Sequence, residues 1–216
     1  MTVYDLTHAI SSSTPVYPGS ESPALSIAAT VEQEGYHETK LSLYSHTGTH
    51  MDAPAHIFRG AATLDSFPPE AFAGAAFVLD CSSLGKNGRI SEEMLREAEE
   101  EIRNADFLLL YTGWEKHWGS PTYFGSFPVL TAEASLFLAE LPKLKGVGVD
   151  TVSVDLVGLP FLENHRILLG SGKLLIENMK NLAALVGKRV QFAALPLHYV
   201  HSDGAPVRAI AWEHEK

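Results

Sequence analysis

The sequence predicts an α/β fold, a mixed β-sheet with flanking helices in a single domain over residues 1–216, and three observations predict it. Short strand-type apolar runs dominate the first third of the chain. From residue 75 onward, continuous apolar runs alternate with helical patterns, and β-type runs return towards the end. Strands separated by helical patterns indicate parallel pairing, whereas β-rich ends indicate an antiparallel part, and one mixed sheet accommodates both. No repeat, low-complexity tract or Ser/Gly linker divides the 216 residues, a length suited to one large domain.

In order, residues 3–6, 25–31 and 38–44 read as strands, the last through its Thr39, Leu41, Leu43 alternation. Residues 75–80 read as a buried strand, followed by the turn residues Gly85, Lys86, Asn87 and Gly88. Ser91 is placed to cap a helix over residues 92–103, residues 107–111 form the next buried strand, and Thr131 caps a helix reaching residue 141. Further strands are expected at 147–154, 174–176, 190–195 and 207–212, with a helix at 179–186. The connection 114–130 is long, aromatic and aperiodic, which suits either a lid or wall over a site or an oligomer contact.

Composition narrows the function. With 16 basic against 26 acidic residues the formal net charge is −10, which disfavours a nucleic-acid partner and leaves a small molecule or another protein. The apolar runs fall short of the ~20 residues needed to span a bilayer, and the N-terminus has neither a basic start nor an apolar stretch, so a cytoplasmic location without membrane association is expected. Cys81 is the single cysteine, which excludes an intrachain disulfide and a thiolate cluster; its apolar setting marks it as a buried structural thiol.

Histidine is the informative residue. His46, His50, Asp52 and His56 stand at i, i+4, i+6 and i+10, and imidazole with carboxylate is the usual ligand set of Zn²⁺ and related divalent ions. Gly48, Thr49 and Pro54 disfavour a helix here, so this is not a site of two histidines one helical turn apart. An extended chain would direct all four side chains to one face, yet His46 and His56 would then lie about 33 Å apart. The chain must bend, and Gly48 and Pro54 are where it can.

The stretch His46-Thr47-Gly48-Thr49-His50-Met51-Asp52-Ala53-Pro54-Ala55-His56 resembles the HxGTHxDxPxH signature of the cyclase-type metal-dependent hydrolases, which include bacterial kynurenine formamidases and isatin hydrolases. The resemblance extends to Tyr4-Asp5-Leu6-Thr7, Pro15-Val16-Tyr17-Pro18-Gly19, Tyr111-Thr112-Gly113-Trp114, Gly148-Val149-Asp150-Thr151, residues 165–178 and Gly204-Ala205-Pro206-Val207-Arg208-Ala209. It implies the family's swivelling β/β/α-like fold and up to two divalent metals per chain, Zn²⁺ or else Mn²⁺. The first would be held by His46, His50 and Asp52, and the second by Asp52, His165 and Glu177, with Glu177 contacting both. His56 corresponds to the family's acid/base histidine, near enough to the second metal to count as a further ligand. A homodimer or homotetramer is also implied.

The implied activity is hydrolysis of an amide-type C–N bond in a small aromatic substrate, of the arylformamidase kind. An isatin-hydrolase-like opening of a cyclic amide or lactone, a dehydrating cyclase and a metal-binding scaffold are the alternatives. Tyr17, Trp114 and Phe124 are the expected substrate wall. Formamidases of this family carry tryptophan where this chain has Tyr17, which weakens the kynurenine assignment. His198 and His201 read as surface residues, and Asp150 and Asp155 either orient ligand histidines or are solvated strand ends.

Overall fold

The computed structural model describes residues 1–213. In chain order the first elements are β1 (Thr2–Asp5), β2 (Ala24–Ala29), the single helical turn α1 (Val31–Glu34), β3 (Glu38–Ser42), β4 (His50–Asp52) and β5 (Ala73–Asp80). The middle of the chain forms β6 (Arg89–Ile90), α2 (Glu92–Glu97), α3 (Glu99–Arg103), β7 (Phe107–Tyr111), β8 (Val129–Leu130) and α4 (Ala132–Ala139). It closes with β9 (Gly146–Val149), α5 (Glu163–Gly170), β10 (Leu174–Glu177), β11 (Arg189–Pro196) and β12 (Gly204–Glu213).

The sheet is mixed and closes on itself. β5, β7, β9 and β10 are parallel neighbours, joined by connections that carry the helices. β11 pairs antiparallel with both β5 and β12. The other edge of β12 is shared, with β1 on residues 210–213 and β4 on residues 204–206. Because β4 also pairs with β10, the ring β12, β11, β5, β7, β9, β10, β4 is complete. β2 and β3 form a separate hairpin.

Strand β7 shows why the central runs are apolar throughout. Phe107 and Leu109 join one core cluster with Val78, Ile176 and Phe192, while Leu108 and Leu110 join another with Leu95, Leu138 and Leu168 from the helices. Alternate side chains point to opposite faces, and both faces are covered. Cys81 is fully buried, and burial pushes its thiol up to about 12, as a structural thiol requires.

Both expected caps form: Met94 N donates to Ser91 Oγ at 3.3 Å and Ala134 N to Thr131 Oγ1 at 3.2 Å. Four details differ from expectation. The helix over 92–103 breaks at Ala98, and Glu99, Glu100 and Glu101 fall in the first turn of the second helix, the end that favours negative charge. The run 147–154 leaves the sheet after Val149, where the buried Asp150 accepts from Thr112 and Trp114 and the buried Ser153 from Asp155 N. The helix at 179–186 is one 3₁₀ turn, Leu182–Leu185, entered through Asn181 in the left-handed region at φ 60°. Segment 114–130 does not stand over the site as a lid: Trp114, Tyr123, Phe127 and Val129 pack with Val152 into a third apolar cluster.

His8 fastens this third cluster to the first strand. Its ring stacks on Trp118 at 3.9 Å with 9° between the planes, and its backbone N donates to Thr49 Oγ1 at 2.9 Å. Burial, aided by Lys180 and opposed by Asp5, pushes its pKa down from 6.5 to about 4. On acidification the unfolded chain therefore takes up this proton first, so the contribution of neutral His8 is complete above pH 6.5 and is lost as pH falls towards 4. Urea midpoints should fall over that interval, less steeply in His8→Gln; identical slopes in the two proteins would exclude His8 as the source.

Candidate metal centre

The ring-closing strand carries the site. His50 and Asp52 lie two residues apart on β4 and so face one way, and the register sets Glu177 of β10 opposite His50. His46 precedes β4 across a bend at Gly48, whose φ of +65° is in the region that favours glycine. His56 follows β4 in the 3₁₀ turn Pro54–His56, so the extended reading holds only for the three residues of β4. His165 comes from the first turn of α5, where Asp155 accepts from Asn164 N and His165 N, both at 3.0 Å.

Three groups of donor atoms result: His46 with His50 and Asp52, Asp52 with His165 and Glu177, and, half-buried beside them, His46 with His56 and Asp203. His50 Nε2 lies 3.3 Å from Asp52 Oδ1 and 3.5 Å from Glu177 Oε2; His165 Nε2 lies 3.6 Å from Asp52 Oδ2 and 3.3 Å from Glu177 Oε1. Atoms bound at 2.0–2.2 Å to one tetrahedral ion stand roughly 3.3–3.6 Å apart, so these spacings are those of ligands around a shared cation. Asp52 Oδ2 and Glu177 Oε1 are buried and accept no hydrogen bond from the described residues. Orphaned buried carboxylate oxygens are costly, and a divalent cation is the partner they fit. Each imidazole also has a partner on its other nitrogen: Gly48 O for His50 at 2.8 Å, Asp155 Oδ2 for His165 at 2.8 Å and Asp203 Oδ2 for His46 at 2.9 Å. Asp155 is thus an orienting carboxylate, whereas Asp150 receives Thr112 N, Thr112 Oγ1 and Trp114 N.

Burial opposes a proton on His46, but Asp52 and Asp203 more than offset it and push the ring up to about 10. Burial likewise disfavours the Asp52 anion, yet His46 and His50 hold its carboxyl well below the usual range. Glu177 is pushed up, by burial first and by Asp52 second. His56 is held down at about 4, chiefly by burial, and is neutral at pH 7. Its ring lies 4.0 Å from that of His46 and 6.0 Å from that of His165, closer to the first group than to the second.

Beside these groups opens a cavity of about 380 Å³, within the usual range for small-molecule sites. His46, His50, His56, His165 and Glu177 line its floor, and Val16, Tyr17, Tyr44, Val152, Leu156 and Leu159 its walls. Tyr17 lines the wall of this cavity, its hydroxyl accepting from Gly158 N at 3.1 Å. Trp114 and Phe124 do not. Trp114 is buried with Nε1 donating to Tyr123 O at 3.0 Å, and Phe124 packs against the same cluster, one layer behind Val152.

The family described as "Putative cyclase" matches residues 4–156, more than half of the chain. The chain belongs to this cyclase family. The kynurenine formamidase of Bacillus cytotoxicus is 28% identical over 208 residues, covering 95% of each chain. Among solved structures, isatin hydrolase A from Labrenzia aggregata superimposes with a TM-score of 0.86 at 27% identity, covering 97% of this chain and 93% of that one. Another, described as a potential metal-dependent hydrolase with cyclase activity, gives 0.80 at 26% identity over 100% of this chain and 99% of that one. That neighbour is described as metal-dependent, and in this cyclase-family chain the His/Asp/Glu cluster is the group of residues suited to hold a metal ion.

Sequence reasoning missed two parts of this cyclase-family site. Asp203 immediately precedes Gly204-Ala205-Pro206, and its position beside a family-like segment was the one available signal. The second part is a brace: fully buried Tyr123 donates to Asn178 Oδ1 at 2.7 Å, and Asn178 Nδ2 donates to Gly48 O at 2.9 Å, the carbonyl that orients His50. His198 and His201 are exposed, as expected. Tyr123→Phe leaves Asn178 Oδ1 buried without its donor and should cost about 1–3 kcal/mol of unfolding free energy in urea titrations; unchanged stability would show that another donor replaces the hydroxyl.

Proposed function

We propose that the chain hydrolyses the acyl C–N or C–O bond of a small uncharged compound carrying an aromatic or other apolar group. The observation that carries this reading is the pair of buried His/carboxylate groups sharing Asp52 on the floor of a largely apolar cavity. His46, His50 and Asp52 would hold one divalent ion and Asp52, His165 and Glu177 a second, with Zn²⁺ and Mn²⁺ both suited to such ligands. A bound cation supplies Lewis-acid polarisation of the carbonyl and acidification of water. The neutral imidazole of His56 takes the proton from attacking water and returns it to the leaving nitrogen or oxygen, so the acyl carbon gains a C–O bond as the scissile bond breaks. Tyr17, with its hydroxyl engaged by Gly158, presents a fixed ring to the substrate.

The likeness to formamidases and isatin hydrolases supports an amide-type substrate, and the lining of the cavity favours a neutral one. No lysine or arginine lines it, while Glu177 does. Away from the metal-binding floor the walls offer a substrate carboxylate no lysine or arginine, so cyclic amides, lactones and neutral aryl formamides suit these walls better than a substrate with a carboxylate on its side chain. Turnover of such a panel with Zn²⁺, Mn²⁺ or Co²⁺ tests the reading. Neutral members should exceed N-formylkynurenine in kcat/KM by about tenfold or more, the effect of roughly 1.4 kcal/mol of unpaired charge. No turnover of any member by the metal-loaded protein would leave a metal-binding scaffold instead.

The roles of the histidines separate by substitution. His56→Ala should keep the ion held by His46, His50 and Asp52 yet lose on the order of 10²–10⁴ in kcat. His50→Ala should lose metal and activity together, read by elemental analysis beside the assay. Near-normal kcat in metal-loaded His56→Ala would overturn the proton-carrier role.

A further inference from the structure

The arm of the cluster that includes His46 differs from the other two. His50 is oriented by a backbone carbonyl and His165 by the buried Asp155, whereas His46 depends on Asp203, whose side chain is 44% exposed and comes from the start of the last strand. Asp203 is nevertheless firmly placed. Its backbone carbonyl accepts from Ala53 N at 2.9 Å, between Asp52 and His56, and Ser45 Oγ donates to its Oδ2 at 3.3 Å. The next residue, Gly204, lies directly against the His46 ring: a Cβ there would stand 2.4 Å from His46 Cε1. His46 is thus held flat on the backbone of β12, with Nε2 on Asp203 and Nδ1 2.6 Å from Asp52 Oδ1. The same Asp203 Oδ2 is 4.0 Å from His56 Nδ1.

We propose that Asp203 is a positioning residue shared by the metal-binding arm and the proton carrier, one carboxylate oxygen that turns His46 Nδ1 towards Asp52 and sets the ring of His56 beside it. Metal-ligating histidines whose other nitrogen meets a carboxylate are held in one tautomer and one orientation, and loss of that partner typically weakens metal binding 10–100-fold. The metal arm of this proposal rests on the cluster alone; the His56 arm rests on the hydrolase reading above.

The test compares Asp203→Ala and Asp203→Asn with the unaltered chain. Zn²⁺ affinity is measured by chelator competition, the ligand field by the visible absorption of the Co²⁺ form, and kcat and KM at saturating Zn²⁺ on the best substrate of the neutral panel. Asp203→Ala should lose about 10–100-fold in Zn²⁺ affinity and alter the Co²⁺ spectrum, and Asp203→Asn, which keeps an acceptor oxygen, should recover most of both. At saturating Zn²⁺ the alanine variant should retain a lowered kcat with little change in KM. Unchanged Zn²⁺ affinity and an unchanged Co²⁺ spectrum in Asp203→Ala would overturn the metal arm, and an unchanged kcat would overturn the His56 arm. If the unaltered chain binds neither Zn²⁺ nor Co²⁺, this proposal and the hydrolase reading both fall. If it binds them but hydrolyses nothing, the hydrolase reading and the His56 arm fall, and the affinities still decide the metal arm.

Discussion

A fully buried carboxylate shared by two groups of ligand atoms sets the terms for the rest of the molecule. Asp52 faces His46 and His50 through Oδ1 and His165 through Oδ2, with the buried Glu177 beside them. Two buried carboxylates in one place are unfavourable unless positive charge gathers around them. Against burial, the surrounding carboxylates push His46 and His165 up, while burial and then Asp52 push Glu177 up. Asp52 Oδ2 and Glu177 Oε1, the buried carboxylate oxygens without a hydrogen-bond partner among the described residues, are the atoms a divalent ion would engage.

The backbone holds these groups together by an economical device. β4 is three residues long, yet it joins β10 to β12 and closes the ring. Its outer residues His50 and Asp52 share one face, while Met51 between them is buried in the core cluster with Ile176 and Ala205. One short strand therefore performs two tasks through the alternation of its side chains. Stability comes from the apolar residues on both sides of β5, β7, β9 and β10, which leaves the site free to keep polar groups that an ordinary core would exclude.

A second row of residues makes the arrangement specific. Asp155 both engages the backbone at the start of α5 and orients His165, so the position of the helix and the direction of the ring are set together. The aromatic segment after Trp114 acts from behind, through Tyr123 and Asn178, on the carbonyl that orients His50. Its contribution is to hold the floor of the cavity rather than to touch what enters it.

The spacing of His46, His50, Asp52 and His56 made a metal site legible in the sequence, because four ligand-type residues crowded around Gly and Pro have few other uses. The α/β class was legible as well, since a strand buried on both faces must be apolar at every position, as residues 107–111 are. His165 and Glu177 stood apart from these local signals, and only the resemblance to a family suggested them. They meet Asp52 because β10 pairs with β4 and α5 packs against β10, an arrangement of distant elements that no local pattern encodes. Asp203, signalled only by its place beside a family-like segment, was missed for the same reason: 157 positions separate it from His46, and the contact exists because β12 returns along β4. Trp114 and Phe124 show the converse. Their aromatic character suited a substrate wall equally well, and tertiary packing placed them behind Val152, where burying large apolar rings is favourable. Residue chemistry and spacing were determined by the sequence alone, whereas which distant groups would share one buried space was decided only when the sheet closed.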